Sequence, residues 1–442
     1  MIRFALVVTF ALSLTACASR IELPGSVLPP EPQAVVVEGM GPPVDWRPVD
    51  ANTGQIGDIV GLTQLAEDFP DSSSVRMRLL GAHFVAREES GSAPIIADLA
   101  WLGERRYLLP EQAVGQLRSA FTTNDERMAV RRAFEWDRSP VSASDVAAEM
   151  PVAVAARLAE SVLWDSEQDR LFVTSIVSRA LHYRESDGAW QAHPISGEGS
   201  FSGIALDETR NLIWVASGVV STTPDPASAY RGLIALDRIT LEERRRVPLG
   251  PGATISDIAV GPDGTVYASD PIGGGVYFAT VTDSTMRTFI APGTFRSPQG
   301  IAVRPDNNAL YISDYRYGLA QVMIRSRHVY RMRAAEPMLL DGVDGLWLHG
   351  NELIAVQNGL NPHRITAFSL GQGIGVIASH RTLEFANPAW TEPLGGSIAG
   401  DALYYLGDGQ WDLYEEGGVL REGEWSRVSR IRSVQLVDSP AE

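Results

Sequence analysis

The chain has 442 residues, of which 45% are hydrophobic and 21% charged, a composition typical of a globular protein with one large domain and a smaller one. Its formal net charge of −17 repels phosphate backbones, which excludes nucleic acid as an expected partner. The chain contains no lysine, so Schiff-base chemistry on a lysine is excluded as well.

Residues 1–17 have the pattern of a cleaved export signal. Arg3 precedes an apolar run, Phe4 to Leu14, that is far shorter than the roughly 20 residues of a membrane span. The run leads into Leu14-Thr-Ala-Cys17, which resembles the lipobox of bacterial lipoproteins, where the cysteine is acylated. An ordinary secretory signal with an incidental cysteine is the alternative. Cys17 is the only cysteine, which excludes an internal disulfide.

Acylation at Cys17 predicts a protein anchored in the membrane by its acyl chains. Ala18 follows the cysteine, which by resemblance to known sorting patterns favours the outer membrane of the bacterial envelope, with the protein facing the periplasm. Residues 18–54 are rich in proline, which predicts an extended tether of about 3.1 Å per residue.

Residues 55–140 have a helical period and predict a small helical module. Ile59, Leu62 and Leu65 share one face, and Ser72 offers a cap for the helix that follows Pro70. Two further helices are predicted to open near Pro94 and Pro110. The 34-residue spacing from Asp58 to Ser92 matches the tetratricopeptide period. A packing or oligomerisation role and a peptide-binding groove remain alternatives for this module.

Residues 150–438 carry hairpins of alternating apolar residues. The clearest is Ser297 to Tyr315, in which Ile301 and Val303 precede a polar turn and Leu310 and Ile312 follow it. Six such hairpins recur at intervals of 42 to 54 residues, which predicts a mainly β fold, a six-bladed β-propeller. We expect Ile431–Val437 to supply the strand that closes the ring.

In a propeller the first strand of each blade runs along the central channel. The residues that open these strands are therefore predicted to form a ring at one mouth of the channel, and they are Glu160, Ser202, Ser256, Gln299, Asp344 and Gly396. Converging carboxylate and carbonyl oxygens suit Ca²⁺. The alternative is a hydrated channel that binds nothing.

The motifs that begin at Ala159-Glu-Ser-Val-Leu-Trp, Ser256-Asp-Ile-Ala-Val-Gly-Pro-Asp-Gly, Gln299-Gly-Ile-Ala-Val-Arg-Pro-Asp and Asp344-Gly-Leu-Trp-Leu resemble the senescence-marker-protein/gluconolactonase superfamily. The resemblance covers about Val152 to Val437. It implies a Ca²⁺-assisted lactone or ester hydrolase with Glu160 and Asp344 as metal ligands, and with Asp344 also as the catalytic base.

Two positions depart from the family. Ser256 and Gln299 stand where family members carry metal-binding asparagines, and Asp257 is an acid that offers compensation for Ser256. Asn358 and His363 lie in a loop that is either a ligand contact or simple turn chemistry. Glu392, ahead of the sixth repeat, is either a channel residue or a solvated acid.

Two functions therefore compete. One is a module that binds a small molecule or an envelope protein, which the two departures and the added helical module favour. The other is the metal-dependent hydrolase, which Glu160 and Asp344 favour. The sequence contains no His-Glu-x-x-His motif, which argues against a zinc site, and it contains no Gly-x-Ser-x-Gly elbow and no Walker loop.

Overall fold

The structure, a computed structural model, describes residues 36–142, 150–185, 188–195, 197 and 199–437, all within the unit Ala34–Glu442. The predicted signal peptide, the lipobox at Cys17 and residues 18–35 lie outside the described residues. None of the described helices has the length and apolar character needed to cross a membrane.

Helices occupy the N-terminal part of the described chain. They are α1 (Ile59–Asp68), α2 (Ser73–Val85), α3 (Arg87–Ser90), α4 (Ala93–Glu104), α5 (Glu111–Ala120) and α6 (Asn124–Ala133). The predicted cap at Ser72 forms, because its side chain accepts a hydrogen bond from the Val75 amide. The structure adds a cap at Asp58, which accepts from the Gly61 amide.

Helix α6 is a finding that periodicity alone did not predict. A signal for it exists, because Thr123 and Glu126 form a capping box in which each side chain accepts from the other residue's backbone amide. The described helices pack on one another mainly through buried leucines and aromatics, namely Leu80, Ile95, Leu99, Leu102, Leu117 and Phe121.

Six sheets follow, numbered here in chain order, and all but one of their strand pairings are antiparallel. The first contains β3 (Ala159–Asp165), β4 (Arg170–Ser175), β5 (Leu181–Glu185) and β6 (Gln191–His193). The second contains β7 (Ser200–Asp207), β8 (Leu212–Gly218), β9 (Gly232–Asp237) and β10 (Glu243–Pro248). The third contains β11 (Ile258–Val260), β12 (Val266–Asp270), β13 (Gly275–Ala279) and β14 (Arg287–Ile290).

The fourth and sixth sheets each gain a strand from an earlier part of the chain, and the fifth gains a short strand that directly precedes its others. The fourth joins β1 (Val44–Asp45) to β15 (Pro298–Val303), β16 (Ala309–Asp314), β17 (Gly318–Met323) and β18 (Val329–Arg331). The fifth joins β19 (Arg333–Ala334), in parallel, to β20 (Gly345–His349), β21 (Glu352–Gln357), β22 (Arg364–Leu370) and β23 (Val376–Phe385). The sixth joins β2 (Met150–Pro151) to β24 (Gly396–Ala399), β25 (Ala402–Leu406) and β26 (Arg430–Gln435).

The first strands of the six sheets contact one another in cyclic order: β3, β7, β11, β15, β20, β24 and back to β3. We call this arrangement the ring. The mainly β architecture with several sheets after a helical region is confirmed. The hairpin predicted from Ser297 to Tyr315 is formed by β15 and β16, with Arg304 to Asn308 as its turn and with Ile301 paired to Ile312.

The prediction for the closing strand is wrong. Residues 430–435 form β26, the third strand of the sixth sheet, which pairs with β25. The strand added from the other side is β2, because Met150 pairs with Ile431 and Pro151 with Arg430 at the outer edge of that sheet. The sixth sheet therefore combines chain from both sides of the β region, which covers the edge that β26 would otherwise expose.

The tether does not extend to residue 54. Val44 pairs with Arg331 in the fourth sheet, so the proline-rich segment has already joined the folded body there. Trp46 and Val49 are buried, and the Trp46 ring lies 5.1 Å from the rings of both Phe69 and Phe295. Aromatic burial and strand pairing supply the energy that a solvated tether lacks.

The helical region is held to the fourth and fifth sheets at the N-terminus of α2. Asp341, in the connection between the two sheets, accepts hydrogen bonds from the Ser73 amide (3.0 Å) and the Ser74 amide (2.8 Å). A carboxylate at the first turn of a helix also complements the helix dipole. The connection that leads into β20 therefore lies against the start of α2.

Candidate functional site

The residues that open the first strands meet around a cavity of about 20 Å³, which is space for a single water molecule or ion. We call it the acidic cavity. Its lining includes five of the six residues predicted to form a ring, together with Asp257, and these are Glu160, Ser202, Ser256, Asp257, Gln299 and Asp344. The structure thus brings these residues together, while their role as a binding or catalytic site stays a prediction.

The sixth member of the predicted ring is wrong by one residue. Gly395 lines the acidic cavity, and its amide donates to the Glu160 carbonyl at 3.1 Å. A Cβ atom at position 395 would overlap Ser161, so the strand comes close here only because the residue is glycine. Gly396 instead lines a separate cavity of about 530 Å³ between the far ends of the first strands.

The acidic cavity is small because neighbouring first strands are bonded directly to one another. The Ser202 hydroxyl and the Gly203 amide both donate to the Ser256 carbonyl, each at 2.8 Å. A Cβ atom at position 203 would lie 2.6 Å from that carbonyl oxygen. Ser202 therefore serves the ring itself, because its hydroxyl is already engaged between two sheets.

Glu160 is held by a residue that the sequence did not single out. The Trp411 indole Nε1 donates to Glu160 Oε2 at 3.0 Å, from a 3₁₀ helix, Trp411–Leu413, that follows β25. Burial raises the pKa of Glu160 well above its ordinary value, and the nearby charges of Asp344 and Glu392 raise it further. The hydrogen bond from Trp411 opposes this rise.

Asp344 ends a chain of hydrogen bonds from two other side chains. Asn358 Nδ2 donates to Asp344 Oδ2 at 3.0 Å, and the Tyr315 hydroxyl donates to Asn358 Oδ1 at 2.9 Å. Burial raises the pKa of Asp344 to about 6, and the bond from Asn358 limits the rise. Asn358 therefore orients a site carboxylate, which is a more specific role than the turn chemistry that its Asn-Gly sequence favours.

Asp257 and Glu392 complete a group of four acids. Asp257 accepts from its neighbour Ile258 (2.9 Å) and from the Ile301 amide in the next sheet (3.3 Å), and burial raises its pKa to about 7. Burial and the charge of Asp344 raise the pKa of Glu392 to about 7 as well. Glu392 is thus partly buried and electrostatically coupled to Asp344, although it does not line the acidic cavity.

The cluster has no cationic side chain paired with it among the described residues. Within the part of the chain that the structure describes, none of the four carboxylates forms an ion pair. For three of them, Glu160, Asp257 and Glu392, the charge of another acid helps to raise the pKa. For Asp344 burial alone raises it. The binding of a cation or a proton therefore stabilises such a cluster.

His363 is set apart from the acidic cavity. It does not line the cavity, and its Nδ1 atom is buried with no hydrogen-bond partner among the described residues. Burial lowers the pKa of His363, which favours the neutral imidazole. Gln299 does line the cavity, where its amide Nε2 donates to the Ser297 hydroxyl at 3.3 Å.

The donor set of the acidic cavity is all oxygen, which is the set that Ca²⁺ prefers. However, few carboxylates lie close enough together to share one metal ion. Among the described residues, no three His, Cys, Asp or Glu side chains stand close enough together to hold a metal ion. Any ion here would depend on two carboxylates and on neutral oxygens such as the Ser256 hydroxyl and the Gln299 carbonyl.

No family model and no curated protein matches the sequence. Solved structures similar to this chain include a luciferin-regenerating enzyme (14% identity, 67% of this chain and 95% of that one, TM-score 0.44). They also include the calcium-binding protein regucalcin from Agrobacterium tumefaciens (14% identity, 65% and 95%, TM-score 0.43). A third is a gluconolactonase from Xanthomonas campestris (16% identity, 68% and 99%, TM-score 0.41). At these values the similarity is too weak to transfer an activity, a ligand or a site residue.

Proposed function

We propose that this protein is an envelope-anchored lipoprotein whose ring is a six-bladed β-propeller and whose helices form a tetratricopeptide-like module, and that its acidic cavity binds a small ligand carrying positive charge. One observation carries the proposal. Three carboxylates, those of Glu160, Asp257 and Asp344, line the acidic cavity, and the charge of Glu392 reaches Glu160; all four have raised pKa values and form no ion pair in the described chain.

The size of the acidic cavity limits which ligands can enter it. A volume of about 20 Å³ admits a single ion or water but no organic cation, unless such a molecule stays at the mouth. Hard divalent cations prefer carboxylate, hydroxyl and amide oxygens, and all three kinds are present. Ca²⁺ held by Glu160 and Asp344, with neutral oxygens from Ser256 and Gln299, is therefore the ligand we propose first.

Calorimetric titration of the purified full chain with CaCl₂ at pH 7.5 tests this proposal. We expect one saturable site, weakened about tenfold or more in Glu160→Gln and in Asp344→Asn, because ligand charge count sets Ca²⁺ affinity. Glu422→Gln removes an exposed loop carboxyl and is the matched control, with unchanged affinity. Absence of binding by the parent protein, or equal affinity in all four proteins, would reject the site.

A proton count adds an independent readout. At pH 6.5 the carboxyls of Asp257 and Glu392, with pKa values of about 7, are largely protonated. Cation binding lowers these pKa values, so Ca²⁺ entry should release protons. Titrations in two buffers of different ionisation enthalpy measure that release, which a surface-bound ion would not cause.

A second candidate function is the metal-dependent lactone or ester hydrolase. The observation that favours it is the pKa of about 6 at Asp344, because a general base works best when its pKa lies near the pH at which the enzyme operates. Asp344 would take the proton of an attacking water while Asn358 and Tyr315 hold the carboxylate in place. Bound Ca²⁺ would supply polarisation of the substrate carbonyl. The substrate itself has no room in the acidic cavity and would have to lie at its mouth.

A panel of lactones and aryl esters tests the second candidate. Turnover by the parent protein, reduced about 100-fold or more in Asp344→Asn, would establish the hydrolase. No turnover of any substrate, with Ca²⁺ binding intact, would leave the binding function as the only one supported. A small molecule or an envelope protein remains the proposed partner of the module as a whole.

A further inference from the structure

A second polar cavity lies between the end of helix α4 and the outer strands of the fifth sheet. Its volume is about 330 Å³, within the range of sites that bind small molecules. Three arginines line it, Arg105, Arg106 and Arg364, and among the described residues the only acid in its lining is Glu104. We call it the arginine cavity. This local excess of positive charge stands out in a chain with a net charge of −17.

Arg364 is the central observation. It is 9% exposed, and its Nη2 and Nη1 atoms donate to the carbonyls of Arg106 (2.7 Å) and Arg105 (3.4 Å) at the end of α4. Its guanidinium lies 5.2 Å from the Phe385 ring centre. Its Nε atom is buried with no hydrogen-bond partner, and Arg364 forms no ion pair among the described residues.

The acids near the arginine cavity already have partners, one of which, Arg105, belongs to the cavity itself. Glu104 pairs with Arg105 at 2.9 Å, and Glu336 pairs with His380 at 3.0 Å. Asp341 attracts Arg364, but its oxygens accept from the Ser73 and Ser74 amides. A buried guanidinium without a counter-ion is costly, so an anion that enters this cavity removes that cost.

Burial lowers the pKa of Arg364 only to about 10, so the side chain stays charged at neutral pH. A guanidinium fork matches the two oxygens of a carboxylate or a phosphate. Thr366 and Thr382 add hydroxyls to the lining, and Phe368 and Met338 add an apolar wall. The cavity therefore combines an anion contact with space for an apolar group.

We propose that the arginine cavity is a binding site for a small organic oxyanion, a carboxylate or a phosphate, that Arg364 and Arg106 hold between the helical region and the fifth sheet. The site is separate from the acidic cavity and takes ligands of the opposite charge. It does not depend on the function proposed above.

Thermal unfolding and calorimetry on the full chain, at constant ionic strength in chloride, test the proposal. The probes are inorganic phosphate, benzoate, and benzamide as the neutral counterpart of benzoate. We expect phosphate or benzoate to bind saturably and to raise the unfolding temperature, and benzamide to do neither. Binding of phosphate alone indicates a phosphate ligand, and binding of benzoate indicates a carboxylate.

Two variants locate the binding. Arg364→Gln should weaken it about tenfold or more, which is the usual effect of losing a charged hydrogen-bond donor. Arg106→Gln changes an exposed side chain and keeps the test decisive if Arg364→Gln fails to fold; we expect it to weaken binding measurably. Arg325→Gln, at an exposed turn far along the chain, is the control with unchanged affinity. Binding of neither anion, or binding that Arg106→Gln and Arg364→Gln leave unchanged, would overturn the proposal.

Discussion

Replacing Asp344 with asparagine should stabilise the metal-free protein at alkaline pH. Asp344 titrates near pH 6 in the folded protein, against 3.8 for an ordinary aspartate. A raised carboxyl pKa means that the folded state binds the proton more tightly than the unfolded state does. The stability that the folded state owes to this tighter proton binding at Asp344 is therefore complete below about pH 3.8 and is lost as the pH rises through 6.

The pKa shift of Asp344 sets the size of the expected stability change. A difference of about 2 pKa units corresponds to about 3 kcal/mol, since each unit is worth about 1.4 kcal/mol. At pH 8 the folded protein carries this full cost of an ionised Asp344, and Asp344→Asn removes it. At pH 5 the carboxyl is mostly protonated already, so the variant should gain only about half as much.

Urea unfolding at pH 5 and pH 8 measures both values, with EDTA present because a bound cation would stabilise the parent protein and hide the effect. Glu422→Gln, an exposed carboxyl, should change little at either pH. The reasoning is refuted if Asp344→Asn is no more stable than the parent at pH 8, or if its gain is larger at pH 5 than at pH 8. A gain would also show that the acidic cavity is kept at the expense of stability.

Two further predictions concern the body and its anchor. Arg238 and Asp165 form a buried ion pair between the first and second sheets. Arg238→Met leaves Asp165 unpaired and should therefore lower the free energy of unfolding by about 3–5 kcal/mol, measured by urea unfolding. The double variant Arg238→Met with Asp165→Asn should recover part of that loss, and an equal or greater loss in the double variant would contradict the assignment. Cys17→Ser should release the protein from membranes in a fractionation experiment, whereas unchanged membrane association would reject the proposed acylation.

Local chemistry made much of the fold predictable. Alternation in Ile301, Val303, Leu310 and Ile312 predicts a hairpin because side chains in a strand point to opposite faces, and β15 and β16 form there. Ser72 predicts a helix start because its hydroxyl satisfies an amide at the first turn of α2. The regular return of one hairpin pattern likewise placed Glu160, Ser202, Ser256, Gln299 and Asp344 at equivalent positions of successive sheets, and they meet at one cavity.

Contacts between distant parts of the chain decided the rest. Trp411 reaches Glu160 across 251 residues, and Tyr315 reaches Asp344 only through Asn358, so neither is visible as a motif. The one-residue error at Gly396 has the same origin, because the fit of Gly395 against Ser161 sets that register. The amino-acid sequence by itself determined the strands, the helix caps and the repeat, because these depend on neighbours within a few residues. The tertiary structure alone decided which carboxylates share an environment, how the ring closes and where Arg364 is buried, because burial and charge coupling depend on distance in space and not on separation along the chain.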